Sequence, residues 1–183
     1  MTNASFTGKT ALISGGASGI GLATAQRLIA QGATVWIADI QDTLGQQIAE
    51  EIGANYLHLD VAKEEEWTSA VELIAGQGQG LHLLMNNAGV AIGGTLETQT
   101  TAEFLQTINI NLLGVFLGCK VCAPLLALSG GGSIVNVSSI WGMVSDPGAV
   151  AYSASKGGVR TMTKAIALDL ADRKTHIRAN SIH

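Results

Sequence analysis

Tyr152 and Lys156 stand four positions apart in a stretch of helical character, so both side chains fall on one helix face about one turn apart. Such a pair can move a proton. A free phenol, with a pKa of about 10, is a poor base at neutral pH, but a nearby ammonium favours the phenolate. The Tyr-x-x-x-Lys spacing also occurs in helices that carry no chemistry, so it gains meaning only from its company. Ser139 lies 13 residues before Tyr152, and Asn111 lies 28 before Ser139.

A second group of residues could hold a phosphate. The run Ser14-Gly15-Gly16-Ala17-Ser18-Gly19-Ile20-Gly21 follows a short apolar segment and opens a helical pattern. Gly15, Gly19 and Gly21 at a strand-to-helix turn let a pyrophosphate approach the backbone and the helix pack closely on its strand. The helix N-terminus adds free N–H groups and a positive dipole end, with Ser18 and Ile20 inside the same turn. The spacing, G-x-x-x-G-x-G, differs from the common G-x-G-x-x-G fingerprint. Asp39 ends the next apolar segment, 18 positions after Gly21, where a carboxylate can accept hydrogen bonds from adenosine ribose hydroxyls. It would repel a 2′-phosphate, and no Arg or Lys lies within residues 14–21 to receive one, so the expected cofactor is NAD and not NADP. Asp60 and the run Asn86-Asn87-Ala88-Gly89 close two further apolar segments.

The elements that must position these groups alternate regularly. Residues 10–14, 34–39, 55–60, 81–86, 133–138 and 177–183 read as strands, several of them nearly continuous apolar runs suited to parallel strands covered on both faces. Helical patterns fill 20–31, 43–52, 63–75, 101–128 and 151–171, with glycines at 32, 53 and 130–132 where helices should stop. This succession predicts an α/β domain, a doubly wound parallel sheet of the Rossmann type, occupying residues 1–183 as a single domain. The glycines at 76–80 and 93–94 read as loops within it. Every chemical candidate except Asn111 and the Tyr152–Lys156 pair then falls at a strand's carboxyl end or just beyond it, the edge where open α/β sheets bind ligands.

Composition excludes several alternatives. The 183 residues are 47% hydrophobic and 13% charged, with a formal net charge of −4, as expected of one globular domain with a sizeable core. No basic run marks nucleic acid or an anionic membrane as a partner. Cys119 and Cys122 have a redox-like spacing but are embedded in an apolar helical run, which favours two small buried residues. Four scattered histidines form no ligand set, so no metal is expected. The first ten residues lack the apolar core of a signal peptide. The uncharged stretch 121–145 is interrupted by Pro124, glycines and Asn136, so a soluble, cytoplasmic protein is expected.

Taken in order, SGGASGIG, Asp60, NNAG, Asn111, NVSS and YSASK closely resemble the classical short-chain dehydrogenase/reductase (SDR) family, from about Lys9 to the C-terminus. The resemblance implies an NAD(H)-dependent oxidoreductase that moves a hydride between nicotinamide and a secondary alcohol or ketone. It implies Tyr152 as general acid/base and Lys156 as the group that tunes it and holds the nicotinamide ribose. Ser139 would hydrogen-bond the substrate oxygen, with Ser138 the next choice. Asn111 would bend its helix and hold a proton-relay water, with Asn109 its rival. Asp60-Val61 would meet the adenine, and Asn87, Ala88 and Gly89 would line the cofactor cleft. Homodimers or homotetramers, paired through the helices around Asn111 and Tyr152, are the expected assembly.

Two departures from the family pattern stand out. Serine at position 14 replaces the usual threonine and keeps the hydroxyl. The sequence also stops at His183, where the family continues with a Pro-Gly turn, a substrate-covering segment and another strand, so the domain is expected to lack its C-terminal strand. A non-catalytic NAD-binding fragment is therefore the alternative reading. A methyltransferase of similar fold has no need for Ser139, Tyr152 and Lys156 at these spacings. Trp141, Met143 and Val144 suggest an apolar wall, and the substrate expected is alicyclic or steroid-like.

Overall fold

The computed structural model describes residues 5–78 and 80–183. Six strands form one sheet: β1 (Thr10–Ser14), β2 (Thr34–Asp39), β3 (Asn55–His58), β4 (Leu83–Asn86), β5 (Gly132–Val137) and β6 (Ile177–Ile182). All pair in parallel, in the order β3-β2-β1-β4-β5-β6. The order reverses between β1 and β4. That switch point opens a crevice beyond the carboxyl ends of the strands.

Side-chain alternation along the strands separates two apolar layers. Ala11, Ile13, Val35, Ile37 and Met85 pack beneath α1 (Gly19–Ile29) and α2 (Asp42–Ile52). Leu12, Trp36, Leu84 and Ile134 face the other way, against α3 (Glu64–Gly76), α5 (Gly114–Leu128) and α6 (Val150–Asp172). The helices carry local signals for their ends. Gly53 closes α2 in the left-handed region, and three glutamates sit in the first turn of α3, where the helix dipole favours them. Thr100 and Glu103 form a reciprocal capping box at the start of α4 (Thr101–Ile108).

Several element bounds differ from those expected. The 101–128 helix is not continuous: α4 and α5 are joined by a π-helical turn, Asn109–Leu113. There the buried Asn111 side chain binds the 87–90 segment, and Gly114 seats directly on Val61. β3 ends at His58 because Asp60 turns its carboxylate back to accept from the Ala62 amide. β4 starts at Leu83, although His82 still donates its amide to the Thr10 carbonyl. β5 lies one residue earlier than expected, and β6 stops at Ile182. Of the loop expected at 76–80, position 79 lies outside the described residues, as do the first four residues of the N-terminal segment. Among the described residues, only the Thr101–Leu128 run is long and apolar enough to cross a membrane; in this fold α5 is a core helix.

Candidate active site

The glycine turn is built by close approach. Gly15 takes a φ of +62°, and a Cβ there would sit 2.8 Å from the Ala88 Cα. A Cβ at Gly21 would collide with the Gly15 carbonyl and lie 2.7 Å from the Asn87 amide nitrogen. No side chain is tolerated where the turn meets the end of β4. The Ser14 hydroxyl joins the two strand ends by accepting from the amides of Asn87 and Ala88, at 3.1 and 3.2 Å. The hydroxyl is what this position requires, and serine supplies it. Asn87 completes the junction by donating to the carbonyls of Ser14 and Gly15.

A cleft of about 370 Å³ lies beyond this junction. Gly15, Ser18, Gly19 and Ile20 line one side, Asp39, Asp60 and Val61 a second, and Asn87, Ala88 and Gly89 the base. Gly21 stands behind the turn, outside the lining. Ser18 caps α1 without a side-chain hydrogen bond, and the first turn holds no acidic residue, so the helix end is open to an anion. Asp39 is nearly buried; its carboxylate accepts from the Ala17 amide at 3.3 Å and the Gln41 amide at 3.2 Å. Its position is braced from below by the Tyr56 hydroxyl, 2.8 Å from the Asp39 carbonyl oxygen. None of the residues lining the cleft is basic. An open helix end, a fixed carboxylate and an apolar wall suit a dinucleotide better than a compact anion.

The proton-transfer candidates gather where the cleft ends at Gly89. A Cβ on Gly89 would lie 3.2 Å from Asn111 Oδ1 and 3.5 Å from Lys156 Nζ. Asn111 is completely buried; its Oδ1 accepts from the Val90 amide at 2.8 Å, and its Nδ2 donates to the Val90 carbonyl at 2.8 Å and the Ser155 hydroxyl at 3.2 Å. Ser155 in turn donates to the Tyr152 carbonyl oxygen. Lys156 is only 4% exposed and donates to the Val137 carbonyl at 2.7 Å. Burial in this apolar setting pushes its pKa down to about 8. Its ammonium lies 5.7 Å from the centre of the Tyr152 ring, and the Trp141 ring meets that ring edge to face, also at 5.7 Å.

Packing places the members of each rival pair differently. Asn109 is exposed, whereas Asn111 is buried at the cleft end. Ser138 is buried and donates to the Lys156 carbonyl. Ser139 is half-buried, and its Oγ accepts from the Trp141 amide, leaving its own proton available. Among the described residues no hydrogen bond joins Ser139 to Tyr152.

A family model described as short chain dehydrogenase matches residues 9–183. The chain belongs to this family. It is 43% identical over 180 residues to a cyclopentanol dehydrogenase of Comamonas testosteroni, covering 96% of this chain and 71% of the relative. It is 42% identical over 178 residues to a 3-alpha-(or 20-beta)-hydroxysteroid dehydrogenase of Mycobacterium tuberculosis, covering 96% and 68%. An NADP-dependent (R)-specific alcohol dehydrogenase of Lentilactobacillus kefiri is 37% identical over 181 residues, covering 96% and 72%. The short-chain dehydrogenase family binds a nicotinamide cofactor and acts on small-molecule alcohols.

Within this short-chain dehydrogenase the structure adds residues that sequence spacing did not single out. Val90 is the backbone partner of Asn111, and Ile40 and Gln41 extend the wall beside Asp39. Beneath the cleft, Asn86 Nδ2 donates to Asn136 Oδ1 at 2.8 Å, and Asn136 Nδ2 donates to the Thr163 hydroxyl at 2.9 Å, tying β4, β5 and α6 together inside the core. Cys119 joins the same buried group, and burial raises its pKa to about 11, the state of an inert thiol. Cys122 is also buried and free. Among the described residues no group of three or more His, Cys, Asp or Glu could hold a metal.

Proposed function

We propose that the protein is an NAD(H)-dependent dehydrogenase of secondary alcohols and reductase of the corresponding ketones. The reading is carried by one observation: Asn111, Lys156 and the Tyr152 helix turn converge at the Gly89 end of the cleft whose other end presents Asp39. Hydride transfer to or from the substrate carbon is the chemistry that a bound nicotinamide coenzyme would supply. Gly15, Ser18, Gly19 and Ile20 would hold its pyrophosphate, Asp39 the adenosine ribose, and Asp60 and Val61 the adenine. Asn87, Ala88 and Gly89 would lie beneath its nicotinamide half.

The protein's own work is proton transfer and orientation. Tyr152 removes the hydroxyl proton in oxidation and donates it to the carbonyl oxygen in reduction. Lys156, with the Val137 carbonyl as its one protein acceptor among the described residues, has donors left for the nicotinamide ribose and sets a positive charge beside the phenol. Ser139 donates its free proton to the substrate oxygen. Asn111 holds the 87–90 segment against the helix that carries Tyr152.

NAD is favoured over NADP because Asp39 is fixed by two backbone amides and no cation lines the cleft to receive a 2′-phosphate. The names of the relatives favour an alicyclic or steroid alcohol, and the Trp141 ring against Tyr152 supplies a flat apolar wall for such a substrate. Phe116 and Leu168, exposed on α5 and α6, support pairing of these helices between two copies. The test is reduction of NAD⁺ and NADP⁺ with cyclopentanol and a hydroxysteroid. NAD⁺ should be favoured by roughly tenfold or more in kcat/KM, and Asp39→Ala should narrow the ratio. A preference for NADP⁺ would overturn the coenzyme assignment.

A further inference from the structure

The helix that carries Tyr152 begins without a cap of its own. Its N-cap residue is Ala149, which has no side-chain acceptor, yet the residues on either side of the exposed Val150 are buried: Ala149 is 3% and Ala151 0% exposed. The Ala151 amide, one residue before Tyr152, is among the first-turn donors that an α-helix leaves unpaired. A buried donor of this kind needs an acceptor from elsewhere. Gln99 supplies it. Its Oε1 accepts from the Ala151 amide at 3.0 Å, and its Nε2 donates to the Ile92 carbonyl at 3.1 Å.

The amide group thus spans three segments that meet only in the folded chain. Ile92 belongs to the loop that leaves Gly89 and Val90, which Asn111 holds. The Gln99 backbone amide donates to the Thr95 carbonyl, and the next residue, Thr100, opens the capping box of α4. On the other side the Gly94 amide donates to the Gly148 carbonyl at 2.8 Å, and Gly94 and Ala149 form a parallel bridge. The fit is close: a Cβ on Gly94 would lie 2.8 Å from the Gln99 Cβ.

We propose that Gln99 is a positioning residue of the active site, capping the Tyr152 helix from a separate loop and thereby fixing the phenol relative to the Gly89 end of the cleft. The inference rests on the assignment of Tyr152 as the proton-transfer group. The hydrogen-bond partners of the Gln99 side chain, Ala151 and Ile92, are not among the residues that line the coenzyme cleft, so its effect belongs to turnover and not to coenzyme affinity. Both halves of the carboxamide are used. A glutamate can still accept from Ala151 but cannot donate to Ile92, whereas a methionine of similar length does neither.

The experiment compares wild type with Gln99→Met, Gln99→Glu, Gly94→Ala and Tyr152→Phe. It measures cyclopentanol oxidation by NAD⁺, NADH affinity by fluorescence titration, and folding by circular dichroism. Gln99→Met should lose about tenfold or more in kcat, as expected of a small displacement of a reacting group, with NADH affinity within about twofold of wild type. Gln99→Glu should recover part of that loss. Gly94→Ala should reproduce the loss with Gln99 still present. Full kcat in Gln99→Met, or kcat and NADH affinity falling together, overturns the proposal. If Gln99→Met does not fold, Gln99→Glu and Gly94→Ala decide by the same two readings. Turnover retained in Tyr152→Phe overturns the functional reading and this inference with it. An inactive Tyr152→Phe beside a fully active Gln99→Met overturns this inference alone.

Discussion

Replacing Asn111 separates its structural work from its placement beside the chemistry. In Asn111→Leu, the Val90 amide and carbonyl lose their partners, and the Ser155 hydroxyl loses its donor. Each buried polar group left unpaired costs about 1–3 kcal/mol, and Val90 is only half-buried, so the lower part of that range applies. The sum is about 3 kcal/mol. For a protein of this size that corresponds to a fall of roughly 6–12 °C in Tm. Asn111→Asp keeps the acceptor for the Val90 amide but puts a carboxylate, in a fully buried position, against the Val90 carbonyl. Burial and that oxygen raise the new carboxyl's folded pKa above its unfolded value of about 4. The variant is then closest to wild type below that unfolded pKa, and its deficit grows as pH rises through the folded pKa. Urea unfolding of wild type and both variants at pH 5 and pH 8 measures this, alongside NADH titration. A deficit below about 0.5 kcal/mol in Asn111→Leu, or an Asn111→Asp deficit independent of pH, would refute the reasoning.

Further outcomes follow from the same geometry. Gly21→Ala puts a carbon against the Gly15 carbonyl and the Asn87 amide, so it should destabilise by about 1–3 kcal/mol and weaken NADH binding; unchanged NADH affinity would show that the junction is not needed for the cleft. Lys156 has a folded pKa of about 8 against an ordinary value of 10.5, so the unfolded chain binds more protons between these values. Its desolvation cost is fully present below pH 8 and is relieved as pH rises, by up to about 3 kcal/mol. The stability of Lys156→Met relative to wild type should therefore fall across pH 8 to 10, as read by urea unfolding; a constant difference contradicts this.

The parallel sheet and the glycine turn were legible because apolar runs and glycines report local backbone demands, whereas the strand order came only from the fold. Residues 10–14 and 34–39 are strands with the expected bounds, and Gly15 and Gly19 have the positive φ that the turn needs. The resemblance implied a bend at Asn111, but the π turn at Asn109–Leu113 was not legible in the residue pattern. Asn-Ile-Asn-Leu-Leu-Gly keeps a helical pattern in sequence, and the widening accompanies tertiary contacts of Asn111 with Val90 and Gly114 with Val61. The Asn86–Asn136–Thr163 chain and Gln99 were equally silent, because their partners lie far away in sequence and are in part backbone groups. Spacing already ranked Ser139 above Ser138, and the structure adds that the Ser138 hydroxyl donates to the Lys156 carbonyl.

Proton transfer by Tyr152 is tested with the least disturbance by Tyr152→Phe, since the ring and its contact with Trp141 are kept. NADH affinity and cyclopentanol oxidation should be measured on the same preparations of wild type and variant. NADH affinity should stay within about twofold of wild type, with a loss of roughly 10²–10⁴ in kcat. Turnover within about tenfold of wild type, with NADH bound normally, would contradict proton transfer by Tyr152.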